Sequence, residues 1–93
     1  MKVRAHVLVT GRVQGVFFRS ETAYKARKSG INGWVQNTQD DKVEALFEGE
    51  EKAVKEVIKF CKRGPPAARV MNVEVTWENY TGNLRGFKIK HDF

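Results

Sequence analysis

The sequence predicts an α+β sandwich, an antiparallel sheet with two helices packed on one face. Runs with a two-residue apolar period begin the chain and recur in its middle and near its end. One segment has an unmistakable helical period, and a glycine-punctuated loop leads into a second, weaker helical stretch. With 93 residues and 41% hydrophobic content the chain suits one compact domain, residues 1–93.

Val3 to Thr10 alternates, with Val3, Ala5, Val7 and Val9 on one side and Arg4, His6, Leu8 and Thr10 on the other, which is a strand. Gly11 to Arg19 has two glycines four apart and reads as a loop, and a helix starts near Phe18 or Arg19. Thr22, Ala23 and Ala26 give that helix a small-residue stripe able to lie close on a sheet, and Gly30 stops it. Asn32 to Thr38 and Val43 to Phe47 alternate on either side of Gln39-Asp40-Asp41, a hairpin. In Glu50 to Lys62, Val54, Val57, Ile58 and Cys61 fall at i, i+3, i+4 and i+7. Acidic residues lie toward the start, Lys59, Lys62 and Arg63 crowd the end, and Gly64-Pro65-Pro66 terminates this second helix. Val70 to Trp77 alternates again, and Phe87 to Ile89 adds a short extra C-terminal strand. The order β, α, β, β, α, β is the ferredoxin-like split βαβ arrangement, with the first and third strands central.

Cys61 has no partner within the chain, so a disulfide framework is excluded and the residue reads as a small buried apolar group. No apolar run approaches the roughly 20 residues that span a bilayer, and the first residues enter a strand pattern directly. A cytoplasmic chain with no membrane partner is expected, in which Asn79-Tyr80-Thr81 goes unglycosylated, and a monomer is expected as well. The net charge of +6 attracts anions of any kind, but no block of five basic residues forms a nucleic-acid tail.

The stretch richest in chemistry is Gly11-Arg12-Val13-Gln14-Gly15-Val16-Phe17-Phe18-Arg19, which joins a strand to a helix N-terminus. Unpaired first-turn N–H groups and the helix dipole favour an anion there, glycine lets the backbone approach it, and an arginine adds a planar fork matching two phosphate oxygens. Most such turns bind nothing. The stretch is neither a Walker A loop nor a dinucleotide fingerprint.

Those nine residues, together with Gly30-Ile31-Asn32-Gly33-Trp34-Val35-Gln36-Asn37, strongly resemble the two signature segments of the acylphosphatase family. Val43-Glu44-Ala45, Gly64-Pro65-Pro66-Ala67 and Gly86-Phe87-Lys88-Ile89 extend the resemblance over nearly the whole chain. It departs at Asp40-Asp41, where the family often has Asp-Gly. The resemblance implies hydrolysis of acyl phosphates to a carboxylate and inorganic phosphate. It further implies backbone phosphate binding by Gln14, Gly15, Val16, Phe17 and Phe18, a catalytic arginine at Arg19, a water-orienting asparagine at Asn37, and no cofactor or metal.

Other candidates have plainer readings. His6 and His91 have no metal-ligand spacing between them and read as structural. Asp40 and Asp41 read as solvated turn formers, and Phe17, Phe18, Trp34 and Trp77 as buried or half-buried packing. The rival function is a nucleic-acid-binding module of the same fold. Arg85-Gly86-Phe87 begins like an RNA-recognition motif, but Lys88 stands where Gly or Ala belongs. A third reading, a domain that keeps the fold and has lost turnover, conflicts with the intact Arg19 and Asn37.

Overall fold

The computed structural model describes residues 1–91. The chain forms β1 (Lys2–Arg12), α1 (Phe18–Lys28), β2 (Asn32–Asn37), β3 (Val43–Glu50), α2 (Glu51–Arg63), β4 (Arg69–Glu78) and β5 (Phe87–Lys90). The sheet order is β4-β1-β3-β2-β5, so β1 and β3 lie inside the sheet as their apolar alternation requires. Ala5, Val7 and Val9 of β1 are fully buried and lie opposite Phe47, Ala45 and Val43 of β3. Both helices cover this apolar face. Thr22, Ala23 and Ala26 of α1 are fully buried, and Val54, Val57, Ile58, Phe60 and Cys61 form the inner face of α2. Burial pushes the Cys61 thiol up to about 12, with the Thr22 hydroxyl beside it pulling the other way, so Cys61 is a packing residue.

Four strands pair antiparallel, but β5 pairs parallel with β2, Gly33 opposite Phe87 and Ile89 opposite Val35, so the sheet is mixed. The cause is the segment 79–86. It leaves β4 on one edge of the sheet, crosses the end of β1 and β3, and enters β5 on the other edge, starting level with the beginning of β2. Glu48 of β3 anchors this strap. Its carboxylate accepts hydrogen bonds from the Thr81 N–H at 2.9 Å, the Thr81 hydroxyl at 2.8 Å and the Gly82 N–H at 3.2 Å, and it pairs with Arg4 at 3.0 Å. Gly86 N–H then donates to Asn32 Oδ1, and Gly33 N–H to the Gly86 carbonyl.

Two local features depart from simple alternation. The β1–β4 register shifts between Thr10 and Gly11, leaving Met71 as an unpaired, exposed bulge residue, so Val70 and Val73 both pack toward the core. Gly11 is required there, because at its φ of 134° a Cβ would meet the Arg69 carbonyl oxygen at 2.2 Å. In the β2–β3 turn the left-handed position falls on Asp41, φ 67°, while Thr38 closes the turn by donating its N–H to the Lys42 carbonyl and accepting the Lys42 N–H at its hydroxyl oxygen.

Candidate active site

At the end of the sheet away from the strap, the loop between β1 and α1 meets the ends of β2 and β5. A pocket of about 270 Å³ opens between them, lined by Val13, Gly15, Phe17, Phe18, Arg19, Ser20, Asn37, Ile89 and His91. Arg19 and Asn37, which lie 18 positions apart in the chain, are therefore walls of one cavity.

The loop takes its shape from two left-handed residues, Gly15 at φ 73° and Phe17 at φ 67°, separated by Val16. Alternation of this kind turns successive N–H groups toward one side, the geometry of a main-chain anion nest. Among the described residues, no carbonyl or side chain accepts a hydrogen bond from the main-chain N–H of any residue from Gln14 to Arg19. The first bond of α1 is Glu21 N–H to the Phe17 carbonyl, and the N-cap Phe17 supplies no side-chain acceptor. The bend is thus open, and its Gly15, Phe17, Phe18 and Arg19 line a pocket to which no described carboxylate contributes.

Side chains fix this loop from behind. Val13, Val16 and Phe18 are buried, and Phe18 packs on Phe60 of α2 with ring centroids 6.1 Å apart. The Gln14 amide donates to the Thr38 and Lys42 carbonyls at 2.9 and 2.8 Å, tying the loop to the hairpin that carries Asn37. Gln14 therefore acts on the hairpin through its side chain, leaving only its main-chain N–H for an anion. Asn37 is the last residue of β2, in the same inward row as the buried Gly33 and Val35, so it follows the core face out to the N-terminus of α1. Arg19 donates through Nη1 to the Lys90 carbonyl at 3.2 Å, which holds one corner of the guanidinium against β5.

Several sequence expectations need correction. Phe18 is core and Trp77 half-buried on the edge strand, but Phe17 is 75% exposed at the pocket. His91 lies on the pocket wall beside Ile89, a placement no spacing signalled because it depends on the parallel entry of β5. His6 lies away from the pocket, its Nε2 2.6 Å from Glu44 Oε2. That hydrogen bond, opposed by burial and helped by Gln36, holds the Glu44 carboxyl below its ordinary value. Among the described residues, no group of three or more His, Cys, Asp or Glu side chains is placed to hold a metal. The RNA-recognition reading also loses its aromatic. Phe87 is buried against Phe47, with centroids 5.7 Å apart, and is not displayed on the open sheet face.

Comparison with known proteins agrees with this geometry. The Acylphosphatase family model matches residues 5–89. An acylphosphatase from Pelotomaculum thermopropionicum is 51% identical over 88 residues, covering 95% of this chain and 96% of the relative. The crystal structure of acylphosphatase from Bacillus subtilis superposes with a TM-score of 0.90 at 35% identity, covering 95% of this chain and 98% of that one. An acylphosphatase structure from Coxiella burnetii gives 0.89 at 32% identity, covering 96% and 93%.

Proposed function

Given that the chain belongs to the acylphosphatase family, and so is a hydrolase that cleaves the carboxyl–phosphate bond, we propose that the loop Gln14–Phe18 and Arg19 bind the phosphate and that Asn37 orients the attacking water. The observation that carries this reading is the run of main-chain N–H groups without an acceptor among the described residues, in a loop whose Gly15, Phe17 and Phe18 line the same pocket as Arg19 and Asn37.

The chemistry asks little of the protein. The leaving group is a carboxylate, stable as an anion at neutral pH, so no general acid has to protonate it. What remains is to hold the phosphoryl group and neutralise charge spreading over its non-bridging oxygens, a task for preorganised N–H donors and a guanidinium. The Arg19 contact with Lys90 uses one donor of a five-donor fork, leaving the others for phosphate. The Asn37 side chain, which makes no hydrogen bond among the described residues, holds the water through its amide. A phosphate oxygen takes the water's proton as the P–O bond to water forms and the P–O bond to the carboxylate breaks. None of the described residues lining the pocket carries a carboxylate, so none of them repels the bound dianion.

A single-domain cytoplasmic monomer belongs to the same reading.

The test is hydrolysis of benzoyl phosphate with inorganic phosphate as inhibitor. Arg19→Ala is expected to lower the rate by roughly 10²–10³-fold or more and to weaken phosphate inhibition strongly. Asn37→Ala is expected to lower kcat while phosphate inhibition survives, and a chelator leaves the wild-type rate unchanged. Unaltered activity in Arg19→Ala would rule out the cradle, and parallel loss of turnover and phosphate affinity in Asn37→Ala would make that residue structural.

A further inference from the structure

Phe17 is the least economical residue in the structure. It holds a left-handed backbone conformation, φ 67°, that costs a residue with a Cβ about 1–2 kcal/mol, and it is 75% exposed, so it gains little burial in return. Two unfavourable features on one bulky aromatic, at the mouth of a pocket, mark a position the fold does not use for its own stability. Across the pocket stands Ile89 of β5, half-buried and partly open to the same space, and the fully packed Val13 and Phe18 complete the wall.

Resting on the reading that the loop binds phosphate, we propose that Phe17 and Ile89 form a subsite for the acyl group and select acyl phosphates whose carbon skeleton is apolar and of ring size. Volume agrees with this assignment. An apolar cavity of about 150 Å³ accommodates benzene, and this pocket of about 270 Å³ leaves the balance for the phosphoryl group. Charge agrees as well. Among the described lining residues Arg19 is the only Lys or Arg and is committed to the first phosphate, so an acyl group bearing a second phosphate or a carboxylate finds no permanent counter-charge among them. An apolar ring instead covers Phe17 and removes its exposed face from water.

The experiment compares kcat/KM for benzoyl phosphate and acetyl phosphate in wild type, Phe17→Ala, Phe17→Tyr and Ile89→Val, with the inhibition constant of inorganic phosphate measured for each. Using the change in the benzoyl-to-acetyl ratio on substitution cancels the intrinsic reactivity of the two anhydrides. The ratio is expected to fall about tenfold in Phe17→Ala, to fall less in Ile89→Val, and to be retained in Phe17→Tyr, which keeps the ring. An unchanged ratio in Phe17→Ala, with phosphate still inhibiting, overturns the subsite and leaves the phosphate cradle standing. A wild type that neither hydrolyses these anhydrides nor is inhibited by phosphate overturns both.

Discussion

Replacing Glu48 by Gln should unfasten the strap. Glu48 is 1% exposed, and its Oε2 takes the Thr81 N–H, the Thr81 hydroxyl and Arg4, while Oε1 takes the Gly82 N–H. A glutamine carbonyl can keep one of these sets, but its NH₂ then faces a donor, and Arg4 loses a buried counter-charge. Breaking a buried ion pair costs about 3–5 kcal/mol. Here Arg4 is partly exposed and keeps Glu78 at 2.8 Å, which brings the expected loss to about 2–3 kcal/mol. For a domain of this size that lowers Tm by about 10–20 °C. The acid limb tests the cause. Burial pushes the Glu48 carboxyl up, but the Thr81 N–H, Arg4, the Thr81 hydroxyl and the Gly82 N–H outweigh it, so its pKa is lowered on folding. A carboxyl lowered on folding contributes its full stability above the unfolded value, about 4.3, and loses it as pH falls through the folded value. The glutamine variant has no such titration, so the gap between the two proteins should be full at pH 7 and shrink below about pH 4. Thermal unfolding followed by circular dichroism at both ends of that range reads it. A Tm loss under about 4 °C at pH 7, or a gap that holds constant into acid, would refute the reasoning.

Two other substitutions follow from the structure. Asp41→Gly removes the Cβ from the left-handed turn position; against a penalty of about 1–2 kcal/mol stands the extra unfolded-state entropy of glycine, about 0.4–1 kcal/mol, so the net is a gain of about 0.5 kcal/mol and a Tm rise of about 2–4 °C. Gln14→Ala strips two side-chain hydrogen bonds between the phosphate loop and the Asn37 hairpin, so stability falls by about 2 kcal/mol and kcat falls more than the affinity for inorganic phosphate, read by steady-state kinetics and thermal unfolding.

The sequence is most legible where burial imposes a period. β1 and α2 are read nearly to their ends because one face of each is core, and the inward row of Val3, Ala5, Val7 and Val9 could be assigned by alternation alone. The same rule misreads β4, where it places Val70 and Val73 on opposite faces. The bulge at Met71 inserts one residue and brings both toward the helices, and a backbone irregularity of that kind has no apolar signature. Glu48 could not be recognised as an anchor, since its partners at Thr81 and Gly82 lie in a segment without regular structure. Arg19 was legible as a cation at a strand-helix junction, but Asn37 by itself is an ordinary strand residue and acquired a role only through the paired motif. Ile89 and His91 stayed invisible as pocket residues because strand direction across a long connection is not written in local periodicity.

Strand direction is also what assembles the site. β3 runs antiparallel to both β1 and β2, so those two are parallel to each other, and β5 joins parallel to β2. Three strands consequently end on the same side of the molecule, delivering the nest loop, Asn37 and the Ile89–His91 wall to one place although they lie far apart in the chain. Glu48 pairs with Asn32 at the other end, whereas Asn37 pairs with Val43, five residues along β2, about 17 Å at the usual rise per residue. β5 runs beside β2 between these ends. Its Phe87 and Lys90 carbonyls accept from Arg27 at 3.0 Å and Arg19 at 3.2 Å, so α1 grips the edge strand at both of its ends with arginines eight residues apart. On the proposed reading the Arg19 guanidinium is therefore shared between strand and phosphate. Arg27→Ala, which touches only the distal grip, should loosen β5 and raise the phosphate inhibition constant a fewfold while Asn37 and the nest stay in place. If that constant does not move while β5 amides exchange faster, the strand's hold on Arg19 has no bearing on phosphate binding.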